Sequence, residues 1–208
     1  VGDLMNTDPQ HWKALVRQFY AKGELCVARD IVRNVLMRFP EDLEAAHTLG
    51  VLSLADDDPE EAVDVFRRLL RRDGSAERYF DLAVALEALG ERKSARTNYE
   101  MALRTEPGHY AARLNLCALL QVLKCPDEAL EQANVLVSKF SDVPEAWCAL
   151  GHAHFAGFDR EAAAKAFARA LVLSPDHLPS RFGHASALAM CGELATAAQE
   201  IGDLRQLG

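Results

Sequence analysis

Aromatic residues make up only 7% of this 208-residue chain, and proline and glycine together number 20. Strands draw on aromatic and β-branched side chains, so a chain poor in aromatics but rich in Ala and Leu favours helices over a β-rich fold. Long hydrophobic runs are also missing. The longest strongly apolar stretch, LNLCALLQVL at 114–123, is far short of the roughly 20 residues a spanning helix needs. There is no charged-then-apolar leader of the signal-peptide kind. The five cysteines (26, 117, 125, 148 and 191) are an odd number without a C-x-x-C pair. That pattern fits reduced thiols better than a disulfide framework, and we expect a cytoplasmic protein with no membrane partner.

Positive charge is in deficit as well. The formal net charge is −8, so the domain-wide basic field of a nucleic-acid binder is absent. The cluster RRLLRR at 67–72 ends a segment that begins DDDPEE at 56–61. Acids at one end and arginines at the other suit a helix dipole, and Asp64 stands four before Arg68. A helix terminus is therefore expected there, not a nucleic-acid patch.

Motifs that would carry chemistry are missing too. No phosphate-cradling glycine loop, no G-x-S-x-G elbow and no H-E-x-x-H occurs. The nearest approach is EAWCALGHAHFAGF at 145–158. His152 and His154, two apart on a helix, point about 200° from one another and cannot share a metal. Cys148 and His152, four apart, could share a face. A zinc site needs three or four ligands, and a nucleophilic Cys needs an oriented base and a place for developing charge. Neither further component is evident, so no enzyme activity, catalytic residue, cofactor or metal ligand is expected.

What the chain does have is a period. Ala28, Ala62, Ala95, Ala129, Ala163 and Ala197 are spaced 34, 33, 34, 34 and 34 residues apart. The columns Pro40, Gly74, Pro107, Ser141, Pro175 and Leu15, Leu49, Leu82, Leu116, Leu150 keep the same rhythm, including the single 33-residue step. Beside the leucines run Val16, Gly50, Ala83, Cys117, Gly151 and Ala185, all small or medium. Self-similarity at such a period is the mark of a stacked repeat.

Each unit divides into two helical stretches. In 144–177, Trp147, Leu150, Gly151 and His154 form one stripe, and Ala163, Phe167, Ala170 and Leu171 the other. Between them G-F-D-R at 157–160 breaks the pattern, with Gly157 expected to end one helix and Asp159 to cap the next. Equivalent breaks are expected at Lys22-Gly23-Glu24, Asp56–Pro59, Gly90-Glu91, Lys124-Cys125-Pro126 and Gly192-Glu193. Small residues facing one another, Gly151 with Ala163 and Gly50 with Ala62, would let the two helices approach. Trp12, Phe66, Tyr99 and Phe167 would then fill the space between units. No unit buries its apolar face alone, so stacking must supply the core.

A 34-residue helix–turn–helix period with these columns resembles the tetratricopeptide repeat, most clearly in WCALGHAH (147–154) followed by AAKAFARALVLSP (163–175). The resemblance implies an all-α, right-handed α-solenoid of antiparallel helix pairs. Six repeats would fall at 9–42, 43–75, 76–109, 110–143, 144–177 and 178–208, forming one array after a lead-in at 1–8, with Asp8 as a cap and Pro9 as a first helical residue. The sequence departs from the family pattern at His184, Arg113, Arg181 and Ala133. No polar capping helix follows Leu207-Gly208. Ile201, Leu204 and Leu207 are therefore expected to expose apolar surface, open to self-association or to a partner.

The family binds an extended peptide or a helix in a concave groove lined by first helices. Carried over residue by residue, the groove comprises Lys13, Arg17, His47, Val51, Phe80, Val84, Leu114, Ala118, Cys148, His152 and Phe182, with Ser186 in the same column. Tyr20, Leu54, Glu87, Gln121, Phe155 and Ala189 continue it one turn on. Co-chaperone members clamp an acidic tail with Lys, Asn and Arg. Here Lys13 and Arg17 match in part, but the next units hold Thr48, Glu77 and Asp81, and the two acids would repel a carboxylate. GlcNAc transferases carry an asparagine ladder, of which only Asn115 is present beside Ala14, Thr48, Asp81, Ala149 and Gly183. The expectation is an interaction scaffold for an apolar or amphipathic segment of another protein. The alternative is a recognition module of a larger enzyme, such as a bacterial glycosyltransferase or hydroxylase, to which the Val start and the uncapped end would point.

Overall fold

The computed structural model describes residues 11–205, with side chains as far as Gln199. The lead-in with Asp8 and Pro9, and the side chains of Ile201, Leu204 and Leu207, lie outside the described residues. Twelve α-helices and no strand are found among the described residues. They alternate as first and second members of antiparallel pairs: α1 His11–Ala21 with α2 Leu25–Arg38, α3 Leu43–Ala55 with α4 Pro59–Arg72, and α5 Ala76–Ala88 with α6 Arg92–Thr105. The remainder are α7 Tyr110–Val122 with α8 Pro126–Lys139, α9 Pro144–Ala156 with α10 Arg160–Leu173, and α11 Leu178–Cys191 with α12 Leu194–Arg205. The second helices begin 34, 33, 34, 34 and 34 residues apart, the rhythm of the alanine column. The chain divides into two compact units, Val1–Thr105 and Glu106–Gly208. In each, every helix packs on its neighbours in sequence, and in the second unit α9 also touches α7 and α11.

The turns inside the pairs repeat one device. After each first helix, one residue takes a left-handed conformation: Gly23, Asp57, Gly90, Lys124, Phe158 and Gly192, with φ between 57° and 92°. The following N–H reaches back to the helix in a six-to-one bond, as from Asp58 to the Ser53 carbonyl (2.8 Å) and from Asp159 to that of His154 (3.0 Å). The left-handed residue itself donates three residues back, as Phe158 does to Phe155. This is a Schellman closure, which satisfies carbonyls that the helix end leaves open. The expected breaks all fall on it. Gly157 ends α9 as its C-cap with φ −82°, and the left-handed position belongs to the next residue, Phe158, at φ 65°. Capping is carried by Asp42, Asp58 and Asp159, whose carboxylates accept from N–H groups two or three residues on.

A side chain with a Cβ is strained by about 1–2 kcal/mol in that left-handed region. Phe158 is 79% exposed, so it recovers little by packing. Phe158→Gly should therefore stabilise the protein by about 0.5–1 kcal/mol, the relief of strain exceeding the entropy glycine adds to the unfolded chain. A urea midpoint lower than that of the parent protein would contradict this account.

Ala62 and Ala163 are fully buried, as the expected helix crossing requires. The atoms nearest the glycines are aromatic: a Cβ on Gly151 would lie 2.6 Å from the ring of Phe167, and one on Gly50 2.6 Å from Phe66. The same two positions recur in other repeats. Gly50 goes with Phe66, Gly151 with Phe167, Ala83 with Tyr99 and Cys117 with Ala133, all of them buried. Ala133, a departure from the family pattern, thus coincides with the bulkier Cys117.

Candidate functional site: the first-helix face of each unit

In the first unit, α1 and α3 border a cavity of about 340 Å³ whose walls include Arg17, Tyr20, His47 and Val51. Four of the expected groove residues therefore meet in one place. Around it several polar groups already have partners within the chain. The Lys13 ammonium pairs with Glu44, and His47 Nε2 lies 3.1 Å from Asp81 Oδ2. Asp81 is buried and also takes Arg78 Nη1 at 3.2 Å. Glu87 accepts from the Tyr99 hydroxyl at 3.0 Å. Lys13 and Asp81 thus each have an opposite charge in place. Arg17 is exposed, Val51 is 44% exposed, and Phe80 and Val84 are half-buried.

In the second unit, α9, α10 and α11 form a cavity of about 300 Å³ walled by His152, Phe155, Phe167, Phe182, Gly183 and neighbouring side chains. Phe182 is 57% exposed and stands at its edge. The His152 ring meets Phe167 edge-on, with centroids 5.0 Å apart. Burial, helped by the charge of His177, holds the His152 imidazole below its ordinary value, so it presents a neutral ring at neutral pH. Gly183 makes this concavity possible, since any Cβ there would run into Phe167. Leu114 is half-buried and Ala118 exposed.

Cys148 requires a correction. Expected on the groove, it is buried in the core with Ala163, Phe167 and Ala187. Burial is the main influence pushing its thiol pKa up, and burial likewise pushes Cys117 up to about 11. Neither thiol carries the thiolate that nucleophilic chemistry needs at neutral pH. The helix period put Cys148 beside His152 correctly. α11, packing across α9, then covers the first residue and leaves the second at the cavity wall.

The neighbourhood also holds a grouping that sequence reasoning missed. His177 Nδ1 lies 2.7 Å from Ser180 Oγ, and His177 Nε2 lies 4.0 Å from Glu145. Ser180 has no exposed surface, so this arrangement ties the start of α11 to α9 and offers no hydroxyl to a substrate. Among the described residues, no three His, Cys, Asp or Glu side chains are grouped to hold a metal. His154 lies 3.8 Å from Asp159. Trp147 is half-buried and donates from its indole to the Ser141 carbonyl at 2.8 Å, tying α9 to the turn before it. Among the described residues, no helix is long and apolar enough to cross a membrane.

A tetratricopeptide-repeat family model matches residues 144–177 and a second matches residues 13–77. No curated protein matches the chain in sequence. Among solved structures, a tetratricopeptide repeat protein from Parabacteroides merdae is similar with a TM-score of 0.81 at 17% identity, over 95% of this chain and 79% of that one. MamA from Desulfovibrio magneticus RS-1 is similar with a TM-score of 0.72 at 21% identity, over 80% of this chain and 95% of that one. YrrB, described as a TPR protein with an unusual peptide-binding site, has a TM-score of 0.64 at 21% identity, over 83% of this chain and 90% of that one. At such identities the likeness speaks for the fold, and function must be argued from the site.

Proposed function

This chain is a tetratricopeptide-repeat protein, an interaction scaffold, and on that premise we propose that it binds a peptide or helical segment of another protein on its first-helix faces. The observation that carries this is the aromatic cavity of His152, Phe155 and Phe182. It is apolar, neutral and preformed, with one wall standing exposed. Such a concavity suits one large apolar side chain of a partner, and a few anchors of that kind supply most of the affinity at an interface. The cavity at Tyr20 and Val51 on the first unit offers a second anchor point, with Arg17 at its rim.

The test is selection from a random-peptide display library on the immobilised protein, followed by titration of the selected peptides in solution. Peptides with a large apolar anchor are expected. Phe155→Ala combined with Phe182→Ala should weaken them about 10- to 100-fold, as removal of two anchor contacts would, while the helical circular-dichroism signal is kept and the urea midpoint falls through the contacts Phe155 makes with the core. Selected peptides that bind equally well to the double variant would move the interface off this face.

A further inference from the structure

The arginine-rich end of α4, which sequence explains only as a helix terminus, borders another cavity, of about 440 Å³, in the first unit. It shares no residue with the cavity at Tyr20 and Val51. Its floor is hydrocarbon: Leu36 from α2, Leu43 and Leu49 from α3, Val65 and Leu69 from α4. Its rim carries Arg68, Arg71 and Arg72, against one carboxylate, Glu41. We propose that this cavity binds a small amphipathic carboxylate, its aliphatic part on the leucine floor and its carboxylate on Arg68 and Arg71.

Three observations lead there. First, the rim already accepts a carboxylate, since Glu41 reaches across from the α2–α3 connection to pair with Arg72. Both partners are more than half exposed, so the pair is easily exchanged. Second, cations are left over. Arg71 has no partner among the described residues, and Arg68 donates from Nε only to the Asp64 carbonyl of its own helix at 3.3 Å. In a chain of net charge −8, this positive mouth over an apolar floor favours anionic amphiphiles, and guanidinium forks match a carboxylate in shape. Third, the walls come mostly from three helices whose backbone groups are hydrogen-bonded internally. They offer no ladder to an extended peptide, whereas a hydrocarbon chain needs none. The volume lies in the range of small-molecule sites.

Isothermal titration of the whole chain with sodium decanoate below its micelle concentration tests this, with decyltrimethylammonium as the cation of equal chain length. Saturable one-to-one binding of decanoate is expected, about tenfold or more tighter than the cation, as a charge-assisted contact implies. Arg68→Glu with Arg71→Glu should abolish that preference, and Arg71→Gln alone should weaken it. Ala46→Leu, which narrows the cleft without touching charge, should weaken both amphiphiles. Glu41→Gln should tighten decanoate by freeing Arg72. Equal affinity for the two head groups overturns the proposal. So does the absence of saturable binding, or decanoate binding that survives both the charge reversal and the filled cleft.

Discussion

Gly183→Val is expected to lower the stability of the protein by about 3 kcal/mol, at the upper end of what overpacking a tight core removes. A Cβ at that position would sit 2.4 Å from Phe167 Cζ and 2.5 Å from Cε1. The ring cannot move aside, because it is fully buried and its other flank lies against Gly151, where a Cβ would also come within 2.6 Å. One aromatic on α10 is therefore held between glycines of its own pair and of the next. The substitution improves intrinsic helix propensity, so a loss of stability can only come from the clash. A double-mutant cycle makes the point sharper. Phe167→Ala alone should remove about 3–5 kcal/mol by opening a cavity. Combined with Gly183→Val, the added methyls occupy part of that cavity, and the joint loss should be smaller than the sum. Strict additivity in urea denaturation would show that the two positions do not share one space.

The sequence carried the glycine and aromatic columns plainly, since a 34-residue repeat makes each packing position visible several times over. Their partnership was not visible. A column shows that Gly151 and Phe167 are each required without showing that the second sits on the first. The helix pairs and their turns were legible for the same reason, down to the Asp159 cap. Phe158 escaped because the neighbouring Gly157 offered the more familiar left-handed residue, while the six-to-one closure counts from the helix and selects the position one later. The first-helix face was legible as a register. Arg17, His47, Val51, His152, Phe155 and Phe182 do line cavities. Burial by the following helix was not legible, and it removes Cys148 from that surface. Charge pairing was the least legible feature. Asp81 read as a free acid that would repel a carboxylate, although Arg78 stands three before it on the same helix, a pairing the register already offers; only the folded chain brings His47 to it as well. The same limit hid Arg29, whose carboxylate partners Asp56, Asp58 and Glu61 stand 27, 29 and 32 residues further along the chain.

Arg29→Met is expected to cost about 3 kcal/mol at neutral pH, the low end of what removing one partner of a buried ion cluster costs. The Arg29 side chain is 9% exposed and spreads its fork over three carboxylates, reaching Asp56 Oδ2 and Glu61 Oε2 at 2.5 Å and pairing also with Asp58. Arg33 adds two contacts to Glu61 Oε1, at 3.1 and 2.7 Å. The cluster ties α2 to the turn between α3 and α4, so it locks one repeat onto the next. Burial opposes ionisation of Glu61, but hydrogen bonds from Ser53, Arg33 and Arg29 outweigh it and hold the carboxyl below its ordinary value. The Glu61 backbone N–H, and after it Arg29, does the same for Asp58. A carboxyl whose folded value is depressed contributes fully above its unfolded value, near pH 4, and loses that contribution as pH falls through the folded one. The parent protein should therefore lose stability in acid. Without Arg29, the three carboxylates repel at neutral pH and are relieved by protonation, so the gap between variant and parent should be widest above about pH 5 and narrow toward pH 3. The carboxylates keep 21–37% of their side chains exposed, which lets water recover part of the loss and places the estimate at the low end. Urea midpoints of both proteins across that pH range separate charge from packing. A gap independent of pH would mean that Arg29 acts through its hydrocarbon stem alone.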